Sequence, residues 1–361
     1  MPVDSEALRE QFPVLERIAY LNAGTDGPLP AAAARAGAEE LLAEARRGRA
    51  REHFERRVQL SGALREAYGR VLGCDASEVA LTTCTSEGLS IVIEGLGLGE
   101  GEEILTSDEE HPGLLGALAA ARELRGVAIR TAPLADLAGA VGKRTRLLTC
   151  SHVGWMSGAI APADLAELDV PVVLDGAQGV GAVACDVRSL GCAAYAGAGQ
   201  KWLCGPDGTG MLYVSEELRE RLSVTRRGYG NLLDPDAGLS ARLHEDARRF
   251  DTLALSAEAL AVALAAVGVL ERASWREVHE RARSLATQLA KLLVAAGREI
   301  APRGESTLVS FSSPDPRGER ARLAERGVIL REIPGRPWLR ASVGAWNCED
   351  DLDRLLAALH R

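Results

Sequence analysis

The stretch Val172-Val-Leu-Asp175-Gly-Ala-Gln178, read with Ala193-Ala-Tyr-Ala-Gly197-Ala-Gly-Gln-Lys201-Trp-Leu-Cys-Gly-Pro-Asp-Gly-Thr-Gly210, decides the fold. Each half is a short apolar run that stops abruptly in small and polar residues. That is the pattern of a strand buried on both faces and ending at a loop. In open α/β sheets ligands collect beyond the carboxyl ends of the strands, so Asp175 and Gln178 fall where such a sheet presents groups to a ligand. Taken alone, Asp175 reads rather as a residue closing the next turn. Lys201, 26 residues on, changes the balance, because a lysine among glycines after a buried strand serves solubility poorly. As a desolvated amine of lowered pKa it suits Schiff-base chemistry.

Outward from this centre, β-rich runs alternate with amphipathic stretches. The pattern predicts helices over 30–48, 52–72, 86–97, 111–125 and 161–167. It predicts strands at Glu103–Thr106, Val127–Thr131, Leu147–Cys150, Val172–Leu174, Ala193–Ala196 and Met211–Val214. Such alternation implies an α/β fold with a mostly parallel sheet between helices. Beyond about residue 250 come two long helices, 255–272 and 274–296, then strands near Thr307–Ser312 and Leu339–Ser342, and a last helix, Glu349–His360. We therefore expect an N-terminal segment (1–20) packing with the small domain, a large domain (21–250) and a small α+β domain (251–361), with 225–250 as the connector.

Composition narrows the function. The 361 residues are 47% hydrophobic and 26% charged, as in an ordinary globular protein, and suffice for two domains. A net charge of −9 argues against nucleic-acid and acidic-membrane partners. The longest apolar run, Ala259–Leu270, is too short to span a bilayer. Met1-Pro-Val-Asp-Ser-Glu lacks a signal-peptide pattern, so a cytoplasmic location is expected. Seven scattered cysteines without a Cys-x-x-Cys pair indicate neither a disulfide framework nor a metal site. Only three of 42 basic residues are lysines, and Lys143 and Lys291 sit where arginine would serve as well.

Three further features could carry chemistry. Leu81-Thr-Thr-Cys-Thr85-Ser86-Glu-Gly places hydroxyls before a helix, which makes either an anion site or a plain N-cap. Glu110-His111-Pro112 opens another helix, where a histidine is most often a cap. In Trp338-Leu-Arg340-Ala-Ser-Val an arginine interrupts an apolar strand; buried there it needs an anion, either a ligand carboxylate or a structural ion-pair partner. Together these parts meet the needs of pyridoxal 5′-phosphate acting on an amino acid: an imine-forming lysine, an aspartate for the pyridine nitrogen, a phosphate cup and a carboxylate-binding arginine. The glycine run Gly95-Leu-Gly-Leu-Gly-Glu-Gly101 lacks the lysine and spacing of nucleotide-binding motifs.

From Tyr20-Leu-Asn-Ala-Gly-Thr-Asp-Gly-Pro28 to Arg340-Ala-Ser-Val-Gly-Ala-Trp-Asn347, the sequence resembles the class V aminotransferase family of fold-type I PLP enzymes. That family holds cysteine desulfurases, selenocysteine lyases, isopenicillin N epimerases and cystine C–S lyases. The resemblance implies that Lys201 carries the cofactor and moves the Cα proton, Asp175 pairs with the pyridinium nitrogen and Gln178 lies near the phenolic oxygen. It implies that His111 stacks on the ring, Thr85 and Ser86 hold the phosphate and Arg340 takes the substrate α-carboxylate. It also implies a homodimer acting on a small amino-acid substrate, with Arg226, Arg227 and Arg249 as candidates to complete a neighbouring phosphate site.

Departures from the family pattern point to one branch. Its usual Ser-Gly-His-Lys stands here as Ala198-Gly199-Gln200-Lys201, where Gln200 partly substitutes near the phosphate. Ser151-His-Val-Gly-Trp155 and Lys201-Trp-Leu-Cys-Gly-Pro206 look more like the cystine lyases. A desulfurase needs a mobile loop cysteine shortly before the carboxylate-binding arginine, and Gly327–Trp338 has none; Cys204 and Cys348 read as structural. The resemblance then favours β-elimination from cystine or an S-substituted cysteine, giving pyruvate, ammonia and a thiol or persulfide. A desulfurase, an epimerase, an aminotransferase and a non-catalytic relative of the same fold are the alternatives. Arg331 and Arg336 could read a second substrate carboxylate or lie on a solvated face.

Overall fold

The computed structural model of the protein describes residues 4–252 and 254–359. Its main sheet has seven strands in the order Val79–Thr82, Gly210–Val214, Ala194–Ala198, Val172–Asp175, Thr145–Ser151, Glu103–Ser107 and Ala128–Ala132. The last five are mutually parallel, and Gly210–Val214 runs against both of its neighbours. Six of these strands match the sequence expectation; Val79–Thr82, four residues long and two residues ahead of a helix, is additional. Alternate residues feed opposite faces, as a period of two requires. Leu81, Leu148, Leu174, Tyr195 and Met211 enter one core, and Ala80, Leu147, Val173, Ala196 and Leu212 the other.

The helices of this layer are Ala31–Arg47, Arg51–Leu72, Thr85–Gly95 and Pro112–Arg125, close to their expected bounds. The expected helix 161–167 is instead a 3-10 turn, Ala163–Glu167. Pro162 at its N-cap and extended backbone from Leu168 leave it room for little more than one turn. Helix Ala257–Arg272, read from the sequence as part of the C-terminal unit, puts Leu260, Ala263 and Val267 into the same core as Leu60, Leu64 and Tyr68 of helix Arg51–Leu72.

The stretch expected as a connector, 225–250, does more than connect. It makes short turns and then returns to the main sheet, where Ala247 and Phe250 are buried. Asp251 follows and receives both terminal nitrogens of Arg65, at 3.0 and 2.8 Å, and the Leu81 amide at 2.9 Å. This pins the strand that leads into helix Thr85–Gly95.

The C-terminal part forms a second, antiparallel sheet of Arg331–Glu332, Trp338–Ser342 and Leu308–Ser312, covered by Trp275–Ala295, Pro316–Glu325 and Glu349–Leu359. His360, expected to end the last helix, lies outside the described residues, as do Met1–Val3. The N-terminal segment is laced into this part. Ala19–Tyr20 pairs with Val328–Ile329, and Ser342 N donates to Leu21 O. Arg9 chelates Asp351 at 2.8 and 3.1 Å, and Phe12 packs on Trp346.

Arg65→Ala would leave the Asp251 carboxylate enclosed without its cation. We expect a stability loss of about 3 kcal/mol, read as a lower urea midpoint with an unchanged m-value.

Candidate active site

Five strands of the main sheet end on the same side, at Thr82, Ser107, Ser151, Asp175 and Ala198, and the residues just beyond them build one site. Asp175 closes its strand, is 4% exposed, and accepts the Ala177 amide on Oδ1 at 2.9 Å. Burial pushes its carboxyl up, opposed by that amide and by Lys201. Such a carboxylate suits a protonated ring nitrogen, which returns the charge that burial removed.

Lys201 lies in a tight turn after Ala194–Ala198. Gly199 N donates to Thr209 O, Gly205 N to Gly199 O and Cys204 N to Lys201 O. Gly27 N donates to Gln200 O at 2.7 Å, and a Cβ at Gly27 would stand 2.0 Å from Lys201 O, so only glycine passes there. Burial brings the amine down to about 8; Arg340 and Arg331 push the same way, and Asp175 and Asp26 resist.

His111 caps helix Pro112–Arg125, its Nδ1 accepting from Gly113 N at 3.1 Å. Burial and the cations Lys201, Arg331 and Arg340 bring it down to about 4, so the ring is neutral at neutral pH. It meets Trp155 edge-on, centroids 5.2 Å apart. Ser86 lies beside the same turn, since a Cβ at Gly113 would fall 2.3 Å from its Oγ. At the head of helix Thr85–Gly95, the N-cap Cys84 side chain caps no helix amide, and the buried Thr85 Oγ1 has no partner among the described residues. Gln200 Oε1 is likewise buried and unpartnered. Free amides with a spare hydroxyl form an anion cradle.

Arg340 is fully buried in strand Trp338–Ser342. Its Nη1 donates to Trp155 O at 2.7 Å, while Nε and Nη2 have no partner among the described residues. Burial, with Arg331, brings it down to about 9. Arg331 stands directly opposite in the antiparallel pair, its guanidinium 5.7 Å from the centre of the Trp155 ring. Arg336 lies exposed in the turn that joins the two strands. Gln178 has both ends engaged: Nε2 donates to Gly24 O at 2.7 Å and Oε1 accepts from Trp202 Nε1 at 3.0 Å. Only its second N–H is free for a ligand.

The sequence reading missed the frame that holds these groups. Glu110, buried beside His111, accepts from Ser107 Oγ, from Ser151 N at 3.0 Å and from Ser151 Oγ at 2.7 Å; Glu109 accepts from Ser157 Oγ. Both carboxylates therefore tie the His111 loop to the loop carrying Trp155. Gly24 was also unassigned, although a Cβ there would meet Ser342 Oγ at 2.7 Å, Arg340 Nη2 at 2.9 Å and Gln178 Oε1 at 2.9 Å. The small-residue run Asn22–Gly27 was the available signal. Cys204 is buried, whereas Cys84 and Cys348 are half-buried. Among the described residues no cluster of three or more His, Cys, Asp or Glu could hold a metal, and no helix is long and apolar enough to cross a membrane.

A buried amine of lowered pKa, a buried carboxylate, a neutral imidazole and an anion cradle on a mostly parallel sheet are the parts a fold-type I PLP enzyme uses. The orphaned buried atoms Thr85 Oγ1, Gln200 Oε1 and Arg340 Nε and Nη2 fit the phosphate and carboxylate ends of that cofactor and its substrate. The chain belongs to the class V aminotransferase family, which matches residues 20–355. It is 28% identical to an isopenicillin N epimerase of Streptomyces clavuligerus over 99% of this chain and 98% of the relative. It is 30% identical to a probable cysteine desulfurase of Pseudomonas aeruginosa over 79% of this chain and 78% of that one. Among solved structures it resembles the cystine C–S lyase C-DES in complex with its product cysteine persulfide, with a TM-score of 0.91 at 28% identity over 97% of this chain and 99% of the other. A lysine-to-alanine mutant of C-DES, with glycine covalently linked to the PLP cofactor, superposes with a TM-score of 0.92 at 28% identity, covering 97% and 98%.

Only the neutral amine attacks an aldehyde. Capture of PLP by the cofactor-free protein should therefore slow about tenfold per unit below pH 8 and level off above it, followed as the growth of the visible band.

Proposed function

We propose that the protein is a PLP-dependent carbon–sulfur lyase that eliminates a sulfur leaving group from Cβ of cystine or an S-substituted cysteine. The observation that carries this reading is the hairpin between Arg331–Glu332 and Trp338–Ser342. It holds two arginines face to face and contains no cysteine. Its turn is closed by Ile333 N donating to Trp338 O and Arg336 N to Ile333 O. A desulfurase needs a thiol on a reaching loop to accept sulfur, and this turn supplies neither the thiol nor the reach. The likeness to a cystine C–S lyase supports the same choice.

When bound, PLP supplies an electron sink conjugated to the substrate Cα. Arg340 receives the α-carboxylate through its two free donors, a bidentate match for that group. Lys201, with an amine near neutrality, takes the Cα proton. Asp175 keeps the ring nitrogen protonated, and neutral His111 covers the ring face without adding charge. The Cβ–S bond then breaks with its electron pair leaving on sulfur, and the enamine released hydrolyses to pyruvate and ammonia. A disulfide leaving group departs as a persulfide, whose lower basicity favours it over sulfide from free cysteine. Arg331 stands where it can read a second carboxylate on the departing half.

The epimerase relative sustains a second reading, proton removal from Cα and return to its other face without elimination. We further propose a homodimer. Leu41, Leu42, Phe54, Val58 and Tyr229 are 48–65% exposed on helices Ala31–Arg47 and Arg51–Leu72 and the neighbouring excursion, an apolar face suited to a second copy. Of the arginines considered for a neighbouring site, Arg226 is paired with Glu94 at 2.9 Å, whereas Arg249 Nε is buried and unpartnered.

Products formed from L-cystine, and from L-cysteine with reductant, test the reading. Pyruvate with ammonia supports elimination, alanine supports a desulfurase, and recovery of racemised substrate supports an epimerase. Lys201→Ala should abolish turnover with an unchanged circular dichroism spectrum. Arg340→Ala should weaken amino-acid binding by about 2–5 kcal/mol, measured by equilibrium titration.

A further inference from the structure

We propose that Asp26 reads the distal ammonium of a substrate whose sulfur arm ends in a second amino-acid head. This deepens the lyase reading and rests on it. The main chain at Asp26 is fixed from three sides. Its amide donates to Asn22 O at 3.2 Å, its carbonyl accepts from Tyr20 Oη at 2.8 Å, and the next amide, Gly27 N, donates to Gln200 O at 2.7 Å. The residue is thereby held beside the Lys201 turn while its side chain stays exposed. Among the described residues the carboxylate makes no side-chain hydrogen bond; its electrostatic neighbours are Asp207, a second exposed acid, Lys201 and Arg331. On its other flank, Thr25 Oγ1 lies 3.5 Å from Arg331 Nη1.

The charge pattern gives this placement meaning. Arg340 is enclosed and suited to the α-carboxylate, and Asp175 is buried at the cofactor end. Arg331 and Asp26 remain, a half-buried cation next to Thr25 and an exposed anion one residue on, both among the charges that act on Lys201. A site selecting a simple anionic arm would gain nothing from Asp26, which repels such an arm and offsets Arg331. An arm carrying both a carboxylate and an ammonium satisfies both groups at once. The chemical class is a β-thio amino acid, disulfide or thioether, whose far end is itself an α-amino acid.

L-Lanthionine and S-(2-carboxyethyl)-L-cysteine differ only in that distal amino group. Their dissociation constants are measured by calorimetry on the PLP-loaded Lys201→Ala protein, with Asp26 intact and with Asp26→Asn. We expect lanthionine to bind roughly fivefold more tightly than its des-amino analogue, and Asp26→Asn to bring that ratio close to one. A ratio that Asp26→Asn does not change, or no binding of lanthionine, overturns the inference. Because no turnover is needed, the result stands apart from the lyase reading, which fails separately if the Lys201 enzyme forms no pyruvate from cystine. In that enzyme, the ratio of kcat/KM for cystine over the mixed disulfide of cysteine with 3-mercaptopropionate should fall by the same factor in Asp26→Asn.

Discussion

A guanidinium enclosed without a carboxylate is the constraint on which this site turns. Burying an unpaired charge is among the most unfavourable things a fold can do, which is why Arg340 is held down to about 9 and why two of its nitrogens remain open. The surrounding structure compensates only in part, through the carbonyl of Trp155. That carbonyl sits on a loop anchored by Glu109 and Glu110, whose own segment presents His111, and the Trp155 ring touches both His111 and Arg331. A single loop therefore sets the distance between the Arg340 guanidinium and the His111 imidazole.

The sequence made the centre of this arrangement legible because strand ends are local. Val172–Asp175 and Ala194–Ala198 are apolar runs interrupted by unlike residues, and Asp175 and Lys201 announce themselves against that background. The frame was not legible because long-range register creates it. Nothing in Gly327–Trp338 says that Arg331 faces Arg340; the antiparallel pairing does. The same holds for Trp155, whose role comes from where its carbonyl and ring point, and for Ala257–Arg272, an apolar helix that could have packed on either sheet. The turn Ala163–Glu167 shows a different limit, a helical composition with too few residues between proline and extended chain. The return of Ala247–Asp251 to the main sheet was hidden because the charged cluster around it reads as surface, although Asp251 belongs to an enclosed pair with Arg65.

Gln200 and Gln178 show how one residue type can serve two ends. Gln178 is spent on structure, clamping Trp202 to the Gly24 carbonyl, and its value to a ligand is its position and one spare N–H. Gln200 has an unused oxygen but lends its backbone carbonyl to Gly27, so the turn bearing Lys201 and the turn bearing Asp26 move as one. A neutral amide there cannot supply the positive charge of a histidine, and the helix termini at Thr85 and Pro112 are the sources of positive potential that begin nearby.

The pairing of Ala19–Tyr20 with Val328–Ile329, and of Leu21 with Ser342, also sets a schedule for synthesis. The turn holding Asp26 leaves the ribosome long before the strands that seat it. Throughout translation the segment must wait as an unpaired edge while more than 300 residues emerge, which makes closure of the site a late, high-contact-order event. The main sheet, complete once Gly210–Val214 has formed, can be built well before that. A nascent chain would thus hold Lys201 and Asp175 in place before Arg331 and Arg340 had arrived.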